Sequence, residues 1–166
     1  MIDSVDRQIL SILQSDARIS NAEMARRLDL APSGVLERVR KLEARGVIEG
    51  YEVRIAPAAV DQELLAFVFV RVDEQPGERA TAEQLAAIPE VLEVHHVAGE
   101  DCYLLKVRAA GTDSLGRLLQ ERFGAIPTVR STRSTIVLST IKETLDLPLG
   151  LPLDETEKAE TGEAEP

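Results

Sequence analysis

The sequence predicts an α+β protein, a winged helix-turn-helix followed by a βαββαβ domain. Three observations predict it. Residues 19–51, ISNAEMARRLDLAPSGVLERVRKLEARGVIEGY, read as two short amphipathic helices joined by a tight turn and followed by a Gly-bounded segment at wing position. From residue 64 the rhythm changes, and β-rich runs alternate with two helical stretches. Between them IAPAAVDQE, residues 55–63, reads as a linker.

The first helix is expected over residues 2–15, where Ile2, Val5, Ile9, Ile12 and Leu13 share one face and Asp3 is a suitable cap. The next begins at Ser20. Glu23, three residues on, completes a capping-box pattern, while Ile19 and Met24 stand where a hydrophobic staple forms. Met24, Ala25 and Leu28 give its apolar stripe, and Asp29 and Leu30 interrupt it. Pro32 suits the first turn of a third helix, in which Val35, Val39 and Leu42 recur at inward spacing. Ser33, Gly34, Glu37, Arg38, Lys41 and Arg45 then point outward, with Arg40 near the border. Gly46 ends this helix and VIEGYEVRI is expected to form a wing hairpin, closing a domain over residues 1–54. Such a second helix can enter a major groove with its small N-terminal residues against base edges, so the unit reads as a binder of double-stranded DNA.

In the second half, residues 64–72 (LLAFVFVRV) are a strand, followed by a polar Pro-Gly loop. Ala82, Leu85 and Ile88 stripe a helix over 80–88 that Pro89 stops. Strands over 91–98 and 103–109 flank the short turn GEDC. Leu115, Leu118, Leu119 and Phe123 face inward from a helix over 113–123, and 129–141 is a last strand. This order predicts a ferredoxin-like sandwich over residues 64–145, one antiparallel sheet covered on one face by helices. The other sheet face is partly apolar and needs a cover, which argues for a homodimer. Residues 146–166 read as an acidic, disordered tail, since from residue 154 the sequence DETEKAETGEAEP has almost no apolar content.

Net charge is −10, and its distribution matters more than its sum. Residues 1–56 hold nine basic and nine acidic side chains, 57–141 hold eight and twelve, and 142–166 hold two and eight. Positive charge gathers over 38–45, where Arg38, Arg40, Lys41 and Arg45 outnumber Glu37 and Glu43. Phosphate affinity follows the local field, because salt screens charges beyond about 8–10 Å. Overall acidity therefore weakens nonspecific binding without forbidding specific binding.

No apolar run approaches bilayer length, the N-terminus carries acids where a secretory signal has bases, and the one cysteine, Cys102, fits a reducing cytoplasm. His95 and His96 are adjacent in a strand and face opposite ways, so they cannot chelate one metal and read as a packing or interface pair. No base stands at readable spacing from Cys102, which reads as a small turn residue. Catalytic and metal-binding residues, and cofactors, are accordingly not expected.

DSVDRQILSILQSDARIS, SGVLERVRKLEARGVIEGY, VHHVAGEDCYLLKV and VRSTRSTIVLSTIKET together resemble the Lrp/AsnC, or feast/famine, family of bacterial and archaeal transcription regulators, over roughly residues 2–145. The resemblance implies dimers, often assembled into octamers, and small effectors, commonly amino acids, bound between dimers at the turn linking the second and third strands. In this chain that turn is Gly99, Glu100, Asp101, Cys102 and Tyr103. Amides beside Gly99 can receive a carboxylate, Glu100 or Asp101 an ammonium, and Thr132 and Ser134 can complete the polar shell. Two departures stand out: Cys102 occupies a place where many relatives have an acid, and Ala31 a capping place where Ser is common. The resemblance implies a metabolite-modulated DNA-binding regulator and not an enzyme. The alternatives on the same architecture are an enzyme resembling sirohaem decarboxylases, and a metabolite-sensing oligomer that does not touch DNA.

Overall fold

The computed structural model describes residues 2–75, 77–99 and 102–150, which form two compact units. The first holds residues up to Val53 and takes back the chain from Thr144; the second spans Arg54–Glu143. Among the described residues, no helix is long and apolar enough to cross a membrane.

Three helices build the first unit: α1 (Ser4–Ser15), α2 (Asn21–Arg27) and α3 (Pro32–Ala44). Ile9, Met24, Ala25, Val35, Val39 and Leu42 are its buried core, with Ile2, Val5, Ile12, Leu13, Ile19 and Leu28 packed around them, as the helical spacing predicts. Asp3 caps α1 as its type predicts, and Asp6 makes the cap a reciprocal box. The Asp6 amide donates to Asp3 Oδ1 at 2.8 Å, and the Asp3 amide to Asp6 Oδ2 at 3.2 Å. At α2 only half of the expected box forms: Ser20 Oγ accepts from the Glu23 amide at 3.1 Å. The Glu23 carboxylate turns instead to Arg26 and Arg27, because a charged partner outcompetes an exposed amide. Asp29 takes φ +53° in the turn to α3, and Ala31, as its type dictates, gives α3 no side-chain cap.

The expected wing hairpin is absent. Gly46 ends α3 at φ +66°, the Val47 and Ile48 amides donate to the Leu42 carbonyl, and the Tyr51 hydroxyl donates to Glu43 at 3.0 Å. Beyond that anchor, residues 50–56 form no strand. A tight hairpin needs positive φ at its centre, and Gly50 does not adopt it. At the other end of the sequence, the expected tail is partly placed: residues 144–150 belong to this first unit. Arg7 Nη1 donates to the Leu149 carbonyl at 2.6 Å, and Gln14 Nε2 to the Leu147 carbonyl at 3.2 Å. Residues 151–166, the rest of that tail, lie outside the described residues.

In the second unit, the linker contributes a single 3-10 turn, Pro57–Val60. There follow β1 (Leu64–Val72), α4 (Ala80–Ala86), β2 (Val91–His96), β3 (Tyr103–Ala109), α5 (Thr112–Arg117) and β4 (Val129–Ile136). α5 runs on as a wider π-helical turn, Leu118–Phe123, closed by the Gly124 amide bonding back to Leu119. The strands form one antiparallel sheet in the order β2-β3-β1-β4, the arrangement that βαββαβ predicts. β4 stops at Ile136, five residues short of the expected 141, because β1 begins at Leu64 and the ladder ends with the Val137 amide donating to the Leu65 carbonyl. Ala66, Val68, Val70, Leu105 and Val107 are fully buried under Leu85, Leu115, Leu118 and Phe123.

The opposite sheet face carries Phe67, Phe69 and Leu104, half-buried, together with a cluster of charge. Lys106 Nζ meets Glu93 at 3.0 Å and also Glu143, Arg108 meets Glu143 at 3.4 Å, and Arg54 donates to the Glu143 carbonyl at 3.0 Å. Glu143 and Glu93 are held below the ordinary 4.5 of a glutamate, Glu143 chiefly by its hydrogen bond from Lys106, Glu93 chiefly by that from His95 and then Lys106. Lys106 is raised above its ordinary 10.5, chiefly by Glu143. Depressed carboxylates stabilise fully above their unfolded value and lose that contribution as pH falls through the folded one; a raised lysine loses its contribution as pH climbs past its own. The melting temperature should therefore be flat through neutral pH and fall below about 4, with Lys106→Met flattening the acid limb in a calorimetric pH series. An unchanged acid limb in that variant would show that the cluster contributes nothing.

Candidate nucleic-acid interface and effector turn

The outer face of α3 is exposed as its stripe predicts, with one reversal. Ser33, Gly34 and Glu37 are exposed, as are Lys41 and Arg45; Arg40, expected at the border, is exposed as well. A Cβ on Gly34 would meet nothing within 4 Å, so the first turn of α3 is open to an incoming base edge. Lys41 pairs with Glu37 at 2.6 Å, but both side chains are about two-thirds exposed. Such an exposed i,i+4 pair adds little to stability and leaves the Lys41 ammonium accessible.

Arg38 is the residue displaced inward. Its Nη1 lies 2.7 Å from Asp3 Oδ2 and 2.7 Å from Asp6 Oδ1. Asp6 is buried, and the hydrogen bonds to both aspartates raise the Arg38 pKa above its ordinary value. Asp3 is lowered, chiefly by the Asp6 amide and next by Arg38. A cleft of about 300 Å³ runs along this side of α3, lined by Asp6, Gly34, Glu37, Arg38, Lys41, Leu42 and Arg45. Arg26 and Arg27, exposed at the end of α2, were passed over in the sequence reading; two adjacent arginines just before the turn were the signal.

In the second unit the turn joining β2 and β3 is closed by the Val97 amide donating to the Cys102 carbonyl at 3.0 Å. Gly99 sits at φ +138°, a region L side chains avoid, and among the described residues nothing beyond its chain neighbours lies within 4 Å of where its Cβ would be. Glycine is thus required by the backbone and not by crowding. Glu100 and Asp101 lie outside the described residues. The Cys102 amide donates to the Val70 carbonyl, and its half-buried Sγ faces the Val72 carbonyl at 3.9 Å. Tyr103 is buried, and its hydroxyl donates to Glu74 Oε2 at 3.4 Å. Burial, and then Glu74, push its phenol up.

Register relates the remaining residues. Tyr103 and Thr132 both pair with Val70, and Ser134 with Val68, so all three share the helix-covered face, Thr132 and Ser134 exposed on the edge strand β4. Glu74 was missed. Its Oε1 accepts from the Thr81 amide at 2.8 Å at the start of α4, while Thr81 and Thr128 share a hydroxyl hydrogen bond. Nothing in the loop after β1 marked this carboxylate, because only the folded sheet brings it to Tyr103. His95 and His96 take separate partners: His95 Nε2 meets Glu93 at 3.0 Å, and the His96 ring stands 5.5 Å from the Tyr103 ring.

A helix-turn-helix reader joined to a four-stranded βαββαβ domain defines a DNA-binding regulator that carries its own sensing module. Residues 2–49 match the model of the winged helix-turn-helix DNA-binding family, and residues 65–147 that of the Lrp/AsnC ligand binding domain. The leucine-responsive regulatory protein of Salmonella typhimurium is 38% identical over 146 residues, covering 86% of this chain and 88% of the relative. A transcriptional regulator from Neisseria meningitidis, solved in complex with L-Met, superposes with a TM-score of 0.85 at 30% identity, covering 90% of this chain and 98% of that one. The feast or famine regulatory protein of M. tuberculosis complexed with L-methionine gives 0.81 at 39% identity, with 89% and 99% covered. The chain belongs to the Lrp/AsnC family. It is a DNA-binding transcription regulator modulated by a small metabolite.

Proposed function

We propose that the chain reads an operator through the exposed face of α3, with Ser33, Gly34 and Glu37 toward base edges and Arg40, Lys41 and Arg45 on phosphates and bases. The effector is an amino acid held at the turn Gly99–Tyr103, and the observation that carries this is Gly99 at φ +138° in the turn that leads to the buried Tyr103. Backbone amides at such a turn receive the carboxylate, while Glu74, Thr132 and Ser134 lie on the Tyr103 side of the sheet. L-methionine in the two solved relatives supports an amino acid of that size. The relatives are transcription regulators, so the chain acts as one without catalysis of its own, in the cytoplasm where its DNA is.

The protein works as a homodimer that assembles further to an octamer. Support comes from apolar surface: Leu138 and Ile141 are 97% and 94% exposed, with Leu92 and Ile136 also exposed and Phe67 and Phe69 half-buried on the open sheet face. At about 25 cal/mol per Å², burying these side chains against other copies of the chain is favourable. Effector binding shifts how dimers associate, and with it the spacing of recognition helices. Gly99→Val tests the site. It forces a β-branched residue to φ +138° and should abolish the ligand response or higher assembly in light scattering, with dimer and DNA binding retained. A stable monomer of the parent chain at micromolar concentration would overturn the assembly, and an undiminished response in the variant would overturn the site.

A further inference from the structure

We propose that Arg38 is a positioning residue: with Asp3 and Asp6 it clamps the recognition helix α3 to the first turn of α1, and it does not contact DNA. The inference rests on α3 being the reading helix. All four carboxylate oxygens of the aspartate pair are assigned. Asp3 Oδ1 accepts from the Asp6 amide and Asp6 Oδ2 from the Asp3 amide, while Asp3 Oδ2 and Asp6 Oδ1 both face Arg38 Nη1 at 2.7 Å. The capping box thus fixes both carboxylates before the arginine arrives, and one guanidinium nitrogen satisfies both. The Asp6 side chain is 13% exposed, so withdrawing Arg38 toward a phosphate leaves a poorly hydrated carboxylate without its cation. The phosphate would also meet the bared charge of Asp3. Lys41, one turn further along α3, has only an exposed partner that water can replace; Arg38 has the half-exposed Asp3 and also the nearly enclosed Asp6, which water cannot serve as well.

The geometry explains what the clamp adds to the core. Ile9, Val35, Val39 and Leu42 press α1 and α3 together, but apolar contacts tolerate small rotations. A short, charge-assisted bond from the middle of Pro32–Ala44 to a fixed cap sets the rotation of α3 about its axis, and so the aim of its exposed side chains. Arg38 therefore acts on specificity through Ser33, Gly34 and Arg40.

The two roles give opposite signs in one experiment. Asn caps a helix about as well as Asp, so Asp3→Asn with Asp6→Asn removes the charge toward Arg38 while keeping the box. A clamp predicts that this pair lowers affinity for the cognate site about tenfold and leaves nonspecific affinity within about twofold, because one misaimed base contact is lost and no phosphate contact is. A DNA contact predicts the reverse, since freeing Arg38 raises affinity and steepens the salt dependence. Arg38→Ala should likewise narrow the cognate-to-nonspecific ratio with an unchanged salt slope; removal of a phosphate contact reduces that slope by about 0.9. Arg38→Lys should restore part of the ratio. Affinities are read well below each variant's melting temperature, and Asp3→Asn alone serves if the pair folds poorly. A raised affinity in the aspartate variants, a reduced slope in Arg38→Ala, or an unchanged ratio in the folded variants would overturn the clamp. Loss of binding in Arg40→Ala, Lys41→Ala, Arg45→Ala, run alongside, confirms α3 as the reader; no loss there refutes that reading separately.

Discussion

Replacing Arg40, Lys41 and Arg45 together by alanine should weaken operator binding on the order of a hundredfold at about 0.1 M salt, and flatten the salt dependence by about 2–3 in slope. All three side chains are exposed, and the Lys41–Glu37 pair adds little to stability, so the triple variant should keep its fold. Each lost phosphate contact contributes about 0.9 to the slope, and a lost base contact about 1–3 kcal/mol of discrimination. Fluorescence anisotropy across a salt series separates the two. A folded triple variant with parent affinity would remove α3 from the interface.

The largest effect on stability is expected at Phe123. It is wholly buried at the end of the π-helical turn, among Val68, Leu105 and Leu118. Phe→Ala in such a site costs about 3–5 kcal/mol, from lost burial and the cavity left behind. For a unit of this size each kcal/mol lowers the melting temperature by about 4–8 °C, so Phe123→Ala should leave the second unit largely unfolded near 37 °C. Near-ultraviolet and far-ultraviolet melts measure it. A drop of only a few degrees would mean that the π turn collapses into the cavity and that the sheet-to-helix packing is softer than it looks.

Helical periodicity read the first unit well because its core is local: Ile9, Met24, Val35, Val39 and Leu42 recur at turns of their own helices. β-rich runs read the strands and their order read the sheet, on one face of which stand Ala66, Val68, Val70, Leu105 and Val107. The misreadings depend on partners far away in sequence. Nothing beside Arg38 announces Asp3 and Asp6, which lie 35 and 32 residues away, so its outward spacing does not reveal its pairing. Glu74 reaches Tyr103 across 29 residues. The wing failed for a different reason: Gly50 permits a hairpin turn without imposing one, and residues 51–56 after it pair with no strand.

Coupling between a bound amino acid and a chosen DNA sequence is most directly measured by anisotropy on a fragment selected by genomic footprinting, at fixed salt, with and without millimolar L-methionine or L-leucine. The expected result is cognate binding at least about 10³-fold tighter than a scrambled fragment, with the cognate midpoint shifted severalfold by one of the amino acids and the scrambled midpoint unmoved. Equal binding to the two fragments, or a cognate midpoint that no amino acid moves, would contradict it.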